Sequence, residues 1–149
     1  MSKDVFVIPA SSGQQRLWFL DRYLGAGCTY NVCQVFELDG PLDLAALRGA
    51  LNVVGSRHES LRTSFRMIQG EVQQIIAPAL DVTLRTADAA EAASAGDLDA
   101  ALMREATTPF DLSVAPLLRA TIWRRDDRRH VLMLVSHHVI VDGWSLKII

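Results

Sequence analysis

An uninterrupted run of five apolar residues, VLMLV at positions 131–135, constrains the fold of this chain more than any other feature. A strand with one solvent-facing side alternates apolar and polar residues, whereas a strand buried on both faces is apolar throughout. The run therefore predicts a central strand over residues 130–136. A second apolar segment, residues 117–124, precedes it across a charged tip and completes a predicted hairpin.

Three helices are predicted in the rest of the chain. The first begins at a cap, Ser11 or Ser12, and ends near residue 24 before glycine; the spacing of Ser12 and Gln15 permits a capping box. The second follows the cap Asp43 with apolar residues at intervals of three and four. The third covers about residues 98–106 and stops before a proline.

Further strands are predicted between these helices. They span residues 30–38, 61–68, 71–76 and 82–86, and residues 87–95 are predicted to form a loop. Strands interleaved with helices indicate an α+β fold, in which a mixed β-sheet packs with helices. A length of 149 residues suits one domain with a core of its own.

The charge balance and the cysteine content argue against several classes of function. Fifteen basic and 17 acidic side chains give a net charge of −2, too balanced for a nucleic-acid-binding face. The sequence contains no signal peptide and no apolar run near the roughly 20 residues of a membrane span. Cys28 and Cys33 are spaced as free thiols rather than as zinc ligands. We expect a cytoplasmic protein with no metal and no directly bound cofactor.

The stretch SHHVIVDG, residues 136–143, lies at the exit of the predicted central strand. A side chain there can point out of the core while the sheet holds its backbone. His138 and Asp142 are four residues apart, so the carboxylate could orient the imidazole of a general base. A structural histidine fits equally well. A metal bound by His137, His138 and Asp142 is a weaker alternative, because adjacent strand residues face opposite sides.

Three other stretches combine polar residues with helix or strand boundaries. SSGQQRLWFL, residues 11–20, is typical of a capped amphipathic helix. RHESLRTSF, residues 57–65, puts Arg57 at a helix C-terminus, where a cation complements the dipole. Arg62 opens a predicted strand, and a buried arginine requires a carboxylate, for which Asp142 is a candidate. PFDL and PLLRA, within residues 109–120, indicate a turn that leads into a strand.

In this order and at these separations, the four stretches resemble the core motifs of the condensation domains of nonribosomal peptide synthetases. SHHVIVDGWS resembles the HHxxxDG signature, with Ser136 where methionine is common and Val141 where serine is common. The first stretch has Gly13 where alanine is usual, and the second matches at each characteristic position. The resemblance extends from about Pro9 to the last residue.

The resemblance implies a chloramphenicol-acetyltransferase-like lobe, one of two lobes that enclose a tunnel. Carrier-protein domains would feed substrates tethered to phosphopantetheine into this tunnel. There, the amine of an acceptor aminoacyl thioester attacks a donor acyl thioester, and an amide forms. The residue in the position of the family's catalytic histidine is His138.

The resemblance also implies supporting roles for the neighbours of this histidine. Asp142 would be structural and paired with Arg62 or, less favourably, with Arg57. Gly143 would let the substrate approach the backbone closely, and His137 would support the site from the core side.

Complete members of that family are longer and carry a second lobe. We therefore expect residues 1–149 to be the N-terminal lobe alone, with residues 144–149 as the first turns of a helix, and to be inactive in isolation. The expected partners are carrier proteins, adjoining synthetase domains and the absent C-terminal lobe. A homodimer is also expected to be feasible, because an uncovered apolar face favours self-association.

Two alternatives remain at this point. One is a related HHxxxDG enzyme, either an acyltransferase with a hydroxyl acceptor or an epimerisation domain; the second motif and QQRLWFL favour the synthetase over the hydroxyl-acceptor enzyme. The other is a lobe that only binds a carrier protein, and the presence of His138 argues against it.

Overall fold

The structure is a computed structural model that describes residues 4–25, 27–87 and 95–148. These residues form seven strands and three helices. The helices are α1 (Ser12–Leu24), α2 (Leu44–Arg57) and α3 (Ala95–Thr107). The strands are β1 (Phe6–Pro9), β2 (Asn31–Asp39), β3 (Thr63–Ile68), β4 (Glu71–Ile76), β5 (Leu84–Ala87), β6 (Leu118–Arg124) and β7 (Arg129–His137). Two short 3₁₀ turns cover Glu59–Arg62 and Ser145–Lys147.

The larger sheet has the strand order β2-β7-β6-β5, in which only β5 and β6 are parallel. The predicted central strand is confirmed, because β7 pairs with β2 on one side and with β6 on the other. Its side chains divide between two cores. Val131, Met133 and Val135 join one core, whereas Leu132 belongs to the other, and Leu134 packs against that second core. Both faces of β7 are therefore buried, as the apolar run predicts.

Different helices cover the two faces of this sheet. Leu47 and Leu51 of α2 pack against the core that contains Leu132. Trp18 of α1 and Leu98 of α3 belong to the opposite core. The predicted α+β fold is thus confirmed, with one sheet between helices on both sides.

The smaller sheet has the order β1-β4-β3, and all its pairs are antiparallel. The predicted β3–β4 hairpin is present, with positive backbone φ angles at Gln69 and Gly70 in its turn. Strand β1 was not predicted. It is short, includes Pro9, and its residues are exposed, so its sequence has no alternation. It forms because β4, some 70 residues later in the chain, offers an edge, with Phe6 opposite Ile76.

Local contacts shift several boundaries relative to the prediction. Helix α1 is capped by Ser11 with Gln14, not by Ser12 with Gln15. The side chain of Gln15 instead donates to the carbonyl of Ala10 at 2.8 Å. Strand β5 begins at Leu84 instead of residue 82, because Asn52 Oδ1 accepts the N–H of Val82 at 2.7 Å. Helix α3 begins three residues before the predicted start, at Ala95.

Two glycines of α2 provide a test of the packing between this helix and the segment that leads into β5. A Cβ at Gly55 would lie 3.0 Å from Cγ2 of the buried Val82, whereas a Cβ at Gly49 would meet no atom within 4 Å. We expect Gly55→Val to lower the free energy of unfolding by about 1–3 kcal/mol through overpacking. The matched control Gly49→Val should change it by less than about 0.5 kcal/mol. Equal stabilities of the two variants in urea unfolding would contradict this packing.

Candidate active site

The two adjacent histidines lie where β7 ends, and backbone hydrogen bonds hold both of them. The N–H of His137 donates to the carbonyl of Leu117 at 3.0 Å, and the N–H of His138 donates to the carbonyl of Tyr30 at 2.8 Å. His137 has no exposed surface, whereas His138, the first residue of the following turn, is exposed. The sheet therefore fixes the backbone of His138 and leaves its side chain accessible to solvent.

His137 is enclosed by aromatic rings and by one carboxylate. The rings of Tyr30 and Phe110 approach it edge-on, with centroids at 6.1 and 6.3 Å. Its Nε2 lies 3.6 Å from Oδ1 of Asp21 on α1, and its Nδ1 accepts the N–H of Val139 at 3.1 Å. Burial, with a smaller contribution from His138, lowers the pKa of His137 to about 4. The ring is neutral near pH 7 and carries its proton on Nε2.

His138 borders a cleft of about 450 Å³ that brings three of the sequence motifs together. Ser11, Gly13, Gln14 and Leu17 of the first motif form one wall, Ser60 comes from the second, and residues 138–142 come from the HHxxxDG segment. Gln14 connects these parts, because its Nε2 donates to Oε1 of Gln74 at 3.1 Å and to the carbonyl of Val139 at 3.4 Å. The cleft is open to solvent.

Asp142 stabilises the turn that follows His138. Its Oδ1 accepts the N–H groups of Trp144 at 3.1 Å and Ser145 at 2.7 Å. The hydroxyl of Ser145 in return accepts the N–H of Asp142 at 2.7 Å. These bonds, first those from Ser145, lower the pKa of Asp142. Asp142 therefore holds the two N–H groups at the start of the last 3₁₀ turn, Ser145–Lys147, which lies within the stretch where a helix was predicted from residue 144.

The predicted pair between Arg62 and Asp142 is not formed in this structure. Arg62 ends a 3₁₀ turn instead of opening a strand. Its Nη1 donates to the carbonyl of Ala77, and its Nη2 lies 3.2 Å from Oε1 of Glu59, three residues earlier. Two nitrogens of Arg62 are thus paired with acceptors other than Asp142. The carboxylate of Asp142 in turn accepts the N–H groups of Trp144 and Ser145, which follow it in the sequence.

The two remaining predicted residues lie at the edge of this arrangement. Arg57 is the last residue of α2, where its charge complements the helix dipole as predicted. Gly143 is exposed, and a Cβ there would meet no atom within 4 Å. Of the four positions Arg57, Arg62, Gly143 and His138, only His138 is among the described residues that line the cleft.

The prediction missed Asp21 and a cluster of contacts around Arg119. The guanidinium of Arg119 lies 3.9 Å from the ring centre of Phe110 and donates to Oε1 of Glu105 at 3.1 Å and to the carbonyl of Thr108 at 2.7 Å. Arg119 therefore holds the end of α3 and packs on Phe110, whose ring contacts His137. The sequence contained one signal for Asp21, an acidic residue at position i+3 from Trp18 on the apolar face of α1.

The described residues were also compared with the requirements of a membrane span and of a metal site. None of the helices in residues 4–25, 27–87 and 95–148 is long and apolar enough to cross a bilayer. Within the same ranges, His, Cys, Asp and Glu side chains form no cluster of three that could hold a metal ion.

The family of the chain follows from a comparison with known domains. The family model of the condensation domain matches residues 6–149. The chain therefore belongs to the condensation domain family.

Particular relatives agree with this classification. The chain is 47% identical over 147 residues to chondramide synthase cmdD of Chondromyces crocatus, and the match covers 95% of this chain and 4% of that protein. It is 38% identical over 141 residues to tyrocidine synthase 3 of Brevibacillus parabrevis, with 95% and 2% covered. The chain thus spans only a few per cent of the length of these curated relatives.

A solved structure supports the same fold. The first condensation domain of the calcium-dependent antibiotic synthetase, in complex with a substrate analogue, superposes with a TM-score of 0.83 at 26% identity. The match covers 95% of this chain and 35% of that one. The predicted membership and the predicted fold are therefore confirmed.

The low pKa of His137 predicts how stability depends on pH. Its folded value is about 4, against an ordinary value of 6.5, so between these pH values the unfolded chain binds the proton more readily. The free energy of unfolding should therefore be highest above pH 6.5 and fall towards pH 4, by at most about 3 kcal/mol. Denaturant unfolding at a series of pH values measures this slope.

A variant isolates the contribution of this one ring. Burial raises the pKa of Asp21, which stabilises the folded state as the pH falls and so opposes the effect of His137. His137→Gln removes the titrating ring and should flatten the profile between pH 6.5 and 4. An unchanged slope in that variant would assign the pH dependence to other groups.

Proposed function

We propose that this chain is the N-terminal lobe of a condensation domain that forms amide bonds in a nonribosomal peptide synthetase. The donor is an acyl or peptidyl thioester, and the acceptor is the amine of an aminoacyl thioester. Phosphopantetheine arms on two carrier-protein domains present both substrates. One observation carries the proposal: His138 is exposed in the cleft where three motifs meet, while the ladder of β7 holds its backbone.

The reaction needs little assistance in deprotonating the acceptor amine, but it depends strongly on the alignment of the two substrates. An α-amine has a pKa near 8, so its deprotonation at pH 7 costs only about 1.4 kcal/mol. A general base such as His138 contributes roughly 10²–10⁴-fold. Holding two tethered reactants in register contributes about 7–11 kcal/mol. We therefore assign His138 the orientation of the amine and the handling of its proton, and assign most of the acceleration to the enclosing tunnel.

The lobe supplies one wall of that tunnel in this proposal. The match to a solved condensation domain covers 35% of that chain, which supports the interpretation of the chain as one lobe. The cleft at His138 is open, and we expect it to need an opposite wall before two tethered substrates can be aligned in it. The isolated chain should therefore lack condensation activity although it carries the histidine.

We further propose that the second lobe covers an apolar surface at α1 and β3. Phe19 stacks on Tyr23 with ring centres 6.2 Å apart, and Phe19 and Met67 line one shallow cleft. All three side chains are more than half exposed, which is unusual for an apolar cluster unless another surface packs against it.

The isolated chain should consequently self-associate through this surface. Sedimentation velocity is expected to show dimers at high concentration, and Phe19→Glu with Tyr23→Lys should return the chain to a monomer. The exposed pair Val53→Glu and Met103→Lys, on α2 and α3, is the matched control and should leave dimers intact. A wild-type chain that stays monomeric at high concentration would argue against the assignment of this surface.

Substitution of His138 tests the function. In a synthetase module that contains this lobe, His138→Ala should reduce amide formation by at least about 10²-fold, because the base is lost, while the melting temperature stays near that of the wild type. The control Asp99→Ala changes an exposed residue of α3 that lies outside the four motifs and the cleft, and it should retain activity. Product mass distinguishes an amide from an ester, and an ester product would favour a hydroxyl acceptor. Wild-type amide formation by His138→Ala would refute the role of His138.

A further inference from the structure

We infer that Asp21 of α1 is a positioning residue: it accepts the Nε2–H of His137 and thereby fixes the turn that carries His138. The inference deepens the proposed function and rests on it where catalysis is concerned. The contact between Asp21 and His137 is a property of the fold and can be tested without any activity.

His137 has a buried donor that needs an acceptor. Its Nδ1 already accepts the N–H of Val139, so the proton of the neutral ring is on Nε2. That nitrogen is buried and has no hydrogen-bond partner among the described residues. Because buried polar groups are rarely left unsatisfied, an acceptor for this proton is expected close by.

Asp21 is the nearby acceptor for the Nε2–H of His137. Its Oδ1 lies 3.6 Å from Nε2 of His137, and a shift of about half an ångström, or one bridging water, would complete a hydrogen bond. The carboxylate is itself only 7% exposed, in the cleft between α1 and the segment around Phe110. Burial raises its pKa, as expected for a carboxylate that loses solvation on folding.

This contact reaches His138 through the backbone of the turn. The ring of His137 holds the N–H of Val139, and the carbonyl of His137 accepts the N–H of Ile140 at 3.0 Å. His138 therefore lies between two held residues. The ring of His137 contacts Asp21 of α1, and the N–H of Val139 donates to that ring. If the ring of His137 rotates, the turn loses its bond to Val139, and the imidazole of His138 loses its orientation.

The same helix also holds the turn from its first residues, through Gln14 and the carbonyl of Val139. Helix α1 thus contacts the HHxxxDG segment at two points, Gln14 near its N-terminus and Asp21 near its C-terminus. Two contacts this far apart on one helix fix both the position and the direction of the turn.

The first experiment uses nuclear magnetic resonance of the chain with ¹⁵N-labelled histidine. The wild type should show His137 as the Nε2–H tautomer and slow hydrogen exchange at the amide of Val139. Asp21→Asn keeps an oxygen acceptor and should preserve both signatures. Asp21→Leu removes it and should speed exchange at Val139 by at least about tenfold, with a mixture of tautomers. Asp99→Leu, at an exposed position on α3, is the matched control and should resemble the wild type.

The second experiment measures kcat and KM for the acceptor carrier in a synthetase module. Asp21→Leu should lower kcat by roughly 10- to 100-fold through misplacement of His138, with KM little changed, and Asp21→Asn should restore most of kcat. A purely structural role would instead lower activity in both variants in proportion to their loss of folded protein.

Different results would refute the positioning role of Asp21 and the proposed amide-forming function. An Nδ1–H tautomer in the wild-type chain refutes the contact even if no variant folds. Unchanged exchange at Val139 in Asp21→Leu, or equal kcat losses in Asp21→Asn and Asp21→Leu, refutes the positioning role. If the expected tautomer and exchange appear but the wild-type module forms no amide, the proposed function fails and the contact of Asp21 stands.

Discussion

Backbone pairing along both sides of β7 is the constraint on which the rest of this structure depends. Asn31 of β2 lies opposite His137, and Leu117 on the other side accepts the N–H of His137. A slip of one residue would exchange every side chain between the two faces. Alternate residues of β7 fill two separate cores, so a slip would disrupt both. The same register decides that His137 points into the core and that His138 is the residue beyond it.

This division explains why two identical side chains, adjacent in the sequence, have different surroundings. His137 loses its solvation completely and stays neutral, which lets its two nitrogens act as one fixed acceptor and one fixed donor. His138 keeps its access to solvent and borders a cleft that can receive a substrate. A general base needs a fixed position and an accessible nitrogen. In the function we propose, the buried histidine supplies the orientation and the exposed one the chemistry.

The sequence predicted the parts of the structure that depend on residues close together in the chain, and it missed those that depend on contacts between distant residues. The central strand was predictable because its apolar run is a local signal, and so was the cap Asp43 of α2. Strand β1 was not predictable, since it exists only by pairing with β4. Ser11 was one of the two predicted caps of the first helix, but the capping box was placed at Ser12 and Gln15, because both Ser11–Gln14 and Ser12–Gln15 have the right spacing. Asp21 was missed because its partner lies on β7, more than 110 residues later.

Arg62 and Asp142 do not pair in this structure, and this affects how the site is assembled. Both side chains have other partners: two nitrogens of Arg62 bind Glu59 and Ala77, and the carboxylate of Asp142 accepts N–H groups of the turn at Ser145. The turn that carries His138 is therefore held by α1, by Tyr30 next to β2 and by the hydrogen bonds of Asp142, all within residues 11–145. A turn that is held in this way does not need a second lobe to fix the backbone of His138. In the function we propose, the other lobe would then contribute the opposite wall and the alignment of the two substrates, and it would leave the geometry of His138 unchanged.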